Sequence, residues 1–227
     1  MSYYPIFLKL EGNTALIVGG GRVAQRKAET LLEYGASVRI VARTLVPELK
    51  KLIENGRIMG LGEEFHEKHL EGVSLVIAAT DDKQLNQRVS KCAQSRGLLV
   101  NAVDQPEDCS FFVPSIVNRG DLSIAISTAG KSPALAKKIR GELEEQFGSE
   151  YAIFLTIMGR LRKKILSRHY SQEKNKRIFS RIVDSQILHA LARRDWKTVE
   201  STLGDILPED LPIKSILDDV RRSEGES

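Results

Sequence analysis

A four-residue apolar run, Ala15-Leu16-Ile17-Val18, leads straight into Gly19-Gly20-Gly21-Arg22-Val23-Ala24. A buried strand that ends in Gly-x-Gly-x-x-Ala and then opens a helix is the setting in which this glycine pattern means dinucleotide binding. Gly19 permits the tight turn. Gly21 lets the backbone approach a pyrophosphate, and Ala24 is small enough for the helix to lie close to the strand. The phosphates sit on the helix N-terminus, where unpaired N–H groups and the helix dipole favour an anion.

The residues up to 113 alternate between the two periodicities. Strands are expected at 14–18, 37–42, 57–61, 74–79, 98–103 and 111–113. Helices are expected at 23–34, 46–54, 66–70 and 83–96. Such alternation implies βαβ units and a parallel sheet. The runs Ala15–Val18, Val38–Ala42 and Leu75–Ala79 are largely apolar, as strands covered on both faces must be.

Beyond that point the pattern changes. Residues 121–127 read as a strand. Ser132 suits an N-cap and Pro133 a first helical position, for a helix over 133–147. From Glu150 onward the spacing is helical only, with helices expected at 151–166, 173–192, 196–203 and 210–222. The expected fold is therefore α/β. A Rossmann-type domain spans 1–113, a small α+β segment spans 114–150, and a helical region spans 151–227.

Charge follows the same division. Residues 151–227 hold 15 Lys and Arg against 11 Asp and Glu, whereas residues 1–150 hold 19 of each. Within 160–194 there are 11 basic residues and 2 acidic ones. A block like this is usually a solvated helix face, and it can also receive a polyanion. Two cysteines, Cys92 and Cys109, make no disulfide framework and read as small buried hydrophobes in a reducing compartment. No apolar run approaches the roughly 20 residues of a membrane span. The opening residues lack the pattern of a signal peptide, so a cytoplasmic location is expected.

Ligands of a doubly wound sheet bind beyond the carboxyl ends of its strands. The residues there are Gly20, Gly21, Arg22 and Val23 after the first strand, Arg43 and Thr44 after the second, Thr80 and Asp81 after the fourth, and Asp104 after the fifth. An acid ending the second strand binds the ribose of NAD, and an arginine can accept the phosphate of NADP. This chain has Arg43 there, which leaves both dinucleotides open. Asp104, in Asn101-Ala102-Val103-Asp104, can move a proton or simply cap a turn. Ser132 can cap its helix or, with Lys131, hold a ligand carboxylate. His66 and His69, near Glu63, Glu64 and Glu67, have metal-like spacing but lie in a polar connection. They read as solvated surface, and no metal site is expected.

Taken together, these motifs resemble a known family. Val18-Gly19-Gly20-Gly21-x-Val23-Ala24-x-Arg26-Lys27-Ala28, Ala78-Ala79-Thr80-Asp81-Asp82 with Asn86, Asn101-x-Val103-Asp104, Ser110-Phe111-x-x-Pro114-Ser115 and Ser132-Pro133-x-Leu135-Ala136 occur in the order seen in precorrin-2 dehydrogenase and the N-terminal half of siroheme synthase. The resemblance covers roughly residues 1 to 200 and includes Pro5-Ile6-Phe7.

The resemblance implies NAD-dependent oxidation of precorrin-2 to sirohydrochlorin, with the family's aspartate at Asp104. Its cofactor contacts fall on the glycine turn with Arg22 and Val23, and on Arg43 and Thr44. Its tetrapyrrole-contacting serine falls on Ser132. It also implies a homodimer built through the segment after the Rossmann domain. Uroporphyrinogen methylation is expected to belong to another protein, because the methyltransferase part is absent from this sequence. Precorrin-2 carries eight carboxylates, which the 160–194 block, Lys131, Lys137, Lys138 and Arg140 would complement. Some members also insert iron, so a combined dehydrogenase and ferrochelatase stays open. A nucleotide-sensing regulator with a DNA-binding tail is the remote alternative. Neither nucleic acid nor membrane is expected as a partner.

Overall fold

The computed structural model describes residues 3–223 and 225. It divides into two compact units, Met1–Val113 and Pro114–Ser227.

The first unit holds a five-stranded parallel sheet in the order β3-β2-β1-β4-β5. Its strands are β1 (Thr14–Val18), β2 (Ser37–Val41), β3 (Ile58–Gly60), β4 (Leu75–Ala78) and β5 (Leu99–Ala102). Helices α1 (Arg22–Glu33), α2 (Pro47–Glu54) and α3 (Lys83–Gln94) connect them. Alternate residues of β1 face opposite sides, as a pleated strand requires. Ala15 and Ile17 pack with Ala24, Ala28 and Leu31 of α1 and Leu49 of α2. Leu16 and Val18 pack with Val89 and Ala93 of α3. The sheet is thus covered on both faces, which explains its continuous apolar strands.

Register brings the strand ends level. Val18 pairs with Val41 on one side and Ala78 on the other, and Ala78 pairs with Ala102. The carboxyl ends of β1, β2, β4 and β5 therefore form one edge, and the reversal of strand order between β1 and β4 lies along it.

The expected strand at 111–113 is not formed. That segment is irregular and is tied to β5 by side chains. Ser110 Oγ accepts from the Val100 N–H at 2.8 Å, and Asn101 Nδ2 donates to the Phe111 carbonyl at 3.1 Å. Pro114, with no N–H, ends the segment.

The second unit opens instead with a hairpin of β6 (Ser115–Arg119) and β7 (Leu122–Ile126), antiparallel and turning at Gly120 with φ 59°. Helices α4 (Pro133–Gln146), α5 (Glu150–Leu166), α6 (Gln172–Val183), α7 (Ile187–Ala192), α8 (Trp196–Ile206) and α9 (Ile213–Ser223) follow. Ile157, Leu161 and Ile165 of α5, Ile182 of α6, Ile187 of α7 and Leu203 of α8 are fully buried in one core. The single helix expected over 173–192 is two helices. Ser185 donates to the Ile182 carbonyl at 2.7 Å and accepts from the Ile187 N–H at 3.3 Å, so a short side chain replaces the helical ladder there. Among the described residues, no helix is long and apolar enough to cross a membrane.

Candidate functional site: the carboxyl edge of the parallel sheet

Each glycine of the turn is required for a different reason. Gly19 has φ 127°, and a Cβ on it would collide with the Ala79 carbonyl at the end of β4. Gly20 has no room either, because its Cβ would collide with the Thr44 carbonyl and come within 2.8 Å of Ala42 Cβ. These two constraints come from the protein itself. The second was not foreseen, since the middle position of Gly-x-Gly is nominally free; the run of three glycines is its sequence signal.

Gly21 differs. Nothing lies within 4 Å of the position its Cβ would take, and its φ of −84° suits any residue. It caps α1 with no side-chain hydrogen bond. The N-terminus of a 12-residue helix therefore presents unpaired N–H groups beside open space that a side chain would fill. These residues fit a dinucleotide pyrophosphate. Ala24 is fully buried against the sheet, so the small third position serves close packing. Arg22 and Val23, the first two helical residues, are exposed beside this opening.

The loop after β4 is held by side-chain hydrogen bonds. Asn86 of α3, 1% exposed, accepts from the Thr80 N–H at 3.1 Å and the Thr80 hydroxyl at 2.7 Å, and donates to the Thr80 carbonyl at 2.9 Å. Asp82 caps α3 through the N–H groups of Gln84 and Leu85. Thr80 is thus committed to shaping the loop, while Asp81 is exposed.

After β5 the chain turns sharply at Asp104, which has φ 59°. This left-handed conformation is uncommon for a residue other than glycine, though aspartate tolerates it better than most. Among the described residues, nothing donates to or pairs with the Asp104 carboxylate, so it caps no turn. The turn is held from beneath by Cys109. Its single S–H is within reach of the carbonyls of both Ala102 at 3.2 Å and Gln105 at 3.3 Å, which share it, and the sulfur accepts from the Ala102 N–H at 3.2 Å. Burial pushes the Cys109 thiol above its ordinary pKa, which keeps the proton it donates. Cys109 is therefore a polar brace rather than a passive hydrophobe.

A cavity of about 280 Å³ opens at the ends of β2 and β3, where Arg43 and Thr44 line it with Lys50, Gly62 and Glu63. Glu64 pairs with Arg43 at 3.7 Å. The expectation of a solvated His66–His69 pair is corrected in one respect. His69 is only 8% exposed, and its Nδ1 accepts from the His66 N–H at 3.3 Å. Among the described residues, no group of three or more His, Cys, Asp or Glu side chains is placed to hold a metal ion.

In the second unit, Ser132 caps α4 by accepting from the Leu135 N–H at 3.2 Å. Ala129 and Gly130 just before it have φ 50° and 77°, and Lys131 is exposed. Several cations of the basic block are engaged within this unit: Arg168 pairs with Asp210 at 2.7 Å, Arg160 with Asp219 at 3.4 Å, and Arg162 lies 5.3 Å from the Phe179 ring centre. Lys138 and Arg140 pair along α4 with Glu142 and Glu144.

Two family models match the chain, one described as putative NAD(P)-binding over residues 6–115 and one as sirohaem biosynthesis protein central over residues 119–146. The siroheme synthase of Zymomonas mobilis is 37% identical over 93% of this chain and 45% of its own length. Siroheme synthase 1 of Aeromonas salmonicida is 39% identical over 91% of this chain and 44% of its own. The chain thus spans less than half the length of these curated relatives. The solved structure of SirC, a precorrin-2 dehydrogenase, superposes with a TM-score of 0.71 at 29% identity, covering 88% of this chain and 100% of SirC. The glycine turn lies in the NAD(P)-binding segment and Ser132 in the sirohaem segment, and along nearly all of its length the chain is similar to the first part of siroheme synthases and to SirC.

Proposed function

We propose that the protein is an NAD-dependent precorrin-2 dehydrogenase, which removes a hydride and a proton from the reduced tetrapyrrole to give sirohydrochlorin. The observation that carries this reading is the Asp104 carboxylate, held without a partner at the carboxyl edge of a sheet whose glycine turn fits a dinucleotide. When bound, the nicotinamide supplies the hydride acceptor. The chain supplies the rest. The α1 N-terminus and Gly19–Val23 hold the pyrophosphate, Arg43 and Thr44 meet the adenosine end, and Thr80 and Asp81 shape the wall of the crevice. Asp104 takes the proton, a role for which an unpartnered carboxylate is available. Ser132 and Lys131 hold carboxylates of the tetrapyrrole, assisted by the α4 N-terminus. A homodimer and a cytoplasmic location accompany this reading.

The test is to mix the protein with precorrin-2 and NAD⁺ under anaerobic conditions and follow NADH and sirohydrochlorin by absorbance. Equimolar appearance of both is expected. No NADH above the enzyme-free rate, together with salt-sensitive DNA binding, would favour a nucleotide-sensing regulator instead.

A further inference from the structure

We propose that Glu63 and Glu64, carried in from the end of β3, set the choice between NAD and NADP in place of an acid at the end of β2. The inference rests on the dinucleotide reading above and adds to it the residues that discriminate the ribose.

Thr44 and Leu45, which line one side of the cavity at the ends of β2 and β3, belong to the segment that packs on the glycine turn. The Val46 N–H donates to the Gly20 carbonyl at 2.9 Å, and the Thr44 carbonyl backs directly on Gly20. A dinucleotide with its phosphates on α1 therefore reaches the cavity with its adenosine ribose. In this fold the ribose hydroxyls normally meet an acid that ends β2. Here that place is taken by Ala42 and Arg43.

The acid arrives by another route. Gly62 has φ 107°, and its carbonyl accepts from the Ala42 N–H at 3.0 Å, which carries the parallel pairing of β2 and β3 two residues past β3. This backbone bond fixes Glu63 beside the end of β2. Glu63 lines the cavity, and among the described residues its carboxylate has no ion-pair or hydrogen-bond partner. It can accept from a ribose hydroxyl with the strength of a charged acceptor.

Glu64 acts on the opposite sign. It lies 3.7 Å from Arg43, the cation a 2′-phosphate would seek. Both side chains are largely exposed, so the pair adds little to stability. It does oppose a second anion at the same guanidinium. The cavity is lined by two cations, Arg43 and Lys50, and one carboxylate, Glu63, and Glu64 pairs with Arg43 from outside the lining, a balance that suits a neutral hydroxyl better than a phosphate dianion.

Calorimetric titration with NAD⁺ and NADP⁺ separately, on the wild type, Glu63→Gln, Glu64→Gln and the double variant, tests the proposal. All four are expected to keep native circular dichroism, since both side chains are exposed. The wild type is expected to prefer NAD⁺. Glu63→Gln should weaken NAD⁺ by about tenfold, the loss of one charge-assisted hydrogen bond. Glu64→Gln should leave NAD⁺ within about twofold and tighten NADP⁺ several-fold by releasing Arg43. The double variant should lose most of the preference. Wild-type preference for NADP⁺, or an unchanged ratio in Glu63→Gln, overturns the proposal while leaving dinucleotide binding intact. Failure of the wild type to bind either dinucleotide overturns the reading beneath it.

Discussion

Cys109 Sγ lies 3.3 Å from the carbonyl oxygen of Gln105, the residue that follows Asp104. The same sulfur bonds the backbone of Ala102 on the other side of the turn, so one thiol spans the bend that presents the carboxylate. Replacing Cys109 with alanine removes these bonds and is expected to cost about 1 kcal/mol of stability. Turnover should fall while NAD⁺ affinity stays native. Cys109→Ser, which retains a donor, should recover most of the rate. Equal turnover in alanine and serine variants would show that the brace is irrelevant to catalysis.

Asp104→Asn removes the carboxylate proposed as the base and retains the shape. General acid–base assistance contributes about 10² to 10⁴ in rate, so a drop of that order is expected with unchanged cofactor affinity. Asp104→Gly supplies the complementary measurement. Glycine accepts φ 59° without strain, so this variant should match or exceed the wild type in thermal stability by up to about 1 kcal/mol while losing the same activity. Near-native turnover in either variant argues that the carboxylate is dispensable.

The glycines separate folding from binding. Gly21→Asp places a side chain in open space at a helix N-cap, a position that favours aspartate, so the protein should fold normally. Dinucleotide binding should nevertheless be lost, because the new carboxylate occupies the phosphate position. Gly20→Ala should do the reverse and destabilise the fold, since the added carbon meets the Thr44 backbone. Circular dichroism melts and calorimetric titration on the pair distinguish the two effects. Native dinucleotide affinity in Gly21→Asp would remove the turn from the site.

His69 makes the first unit sensitive to mild acid. Burial, followed by the charges of His66 and Lys68, lowers its pKa below the ordinary histidine value. Its Nδ1 must also stay unprotonated to accept from His66. A group with a depressed folded pKa stabilises fully above the unfolded value, about 6.5, and loses that contribution as pH falls through the folded pKa. The melting temperature should therefore fall between about pH 7 and pH 5. In His69→Gln the fall should be smaller, and an identical fall would assign it to other groups.

Residues covered on both faces left the clearest record in the sequence. Strands β1, β2, β4 and β5 lie within a residue of their expected bounds at either end, because a parallel strand under two helical layers must be apolar throughout. The segment at 111–113 misled for the same reason. Phe111 is apolar because it packs onto the sheet core from an irregular loop, not because it pairs. The hairpin strand β6 was hidden because Ser115-Ile116-Val117-Asn118-Arg119 is short, half-buried and paired only with β7. At the candidate site, the glycine turn after β1 and the position of Asp104 at the end of β5 were legible from local order. The parts of Glu63, Asn86 and Cys109 were not, because each depends on which strand end or loop comes to lie beside it.

The collision that a Cβ at Gly19 would make with the Ala79 carbonyl has a consequence for detection. The two backbones touch with no intervening side chain, so the glycine turn cannot shift without disturbing the peptide that leads into Thr80. The amide resonances of Ala79 and Thr80 should therefore move on dinucleotide addition even where the ligand does not touch them. They give a direct spectroscopic reading of occupancy in a protein whose single tryptophan, Trp196, lies in the other unit.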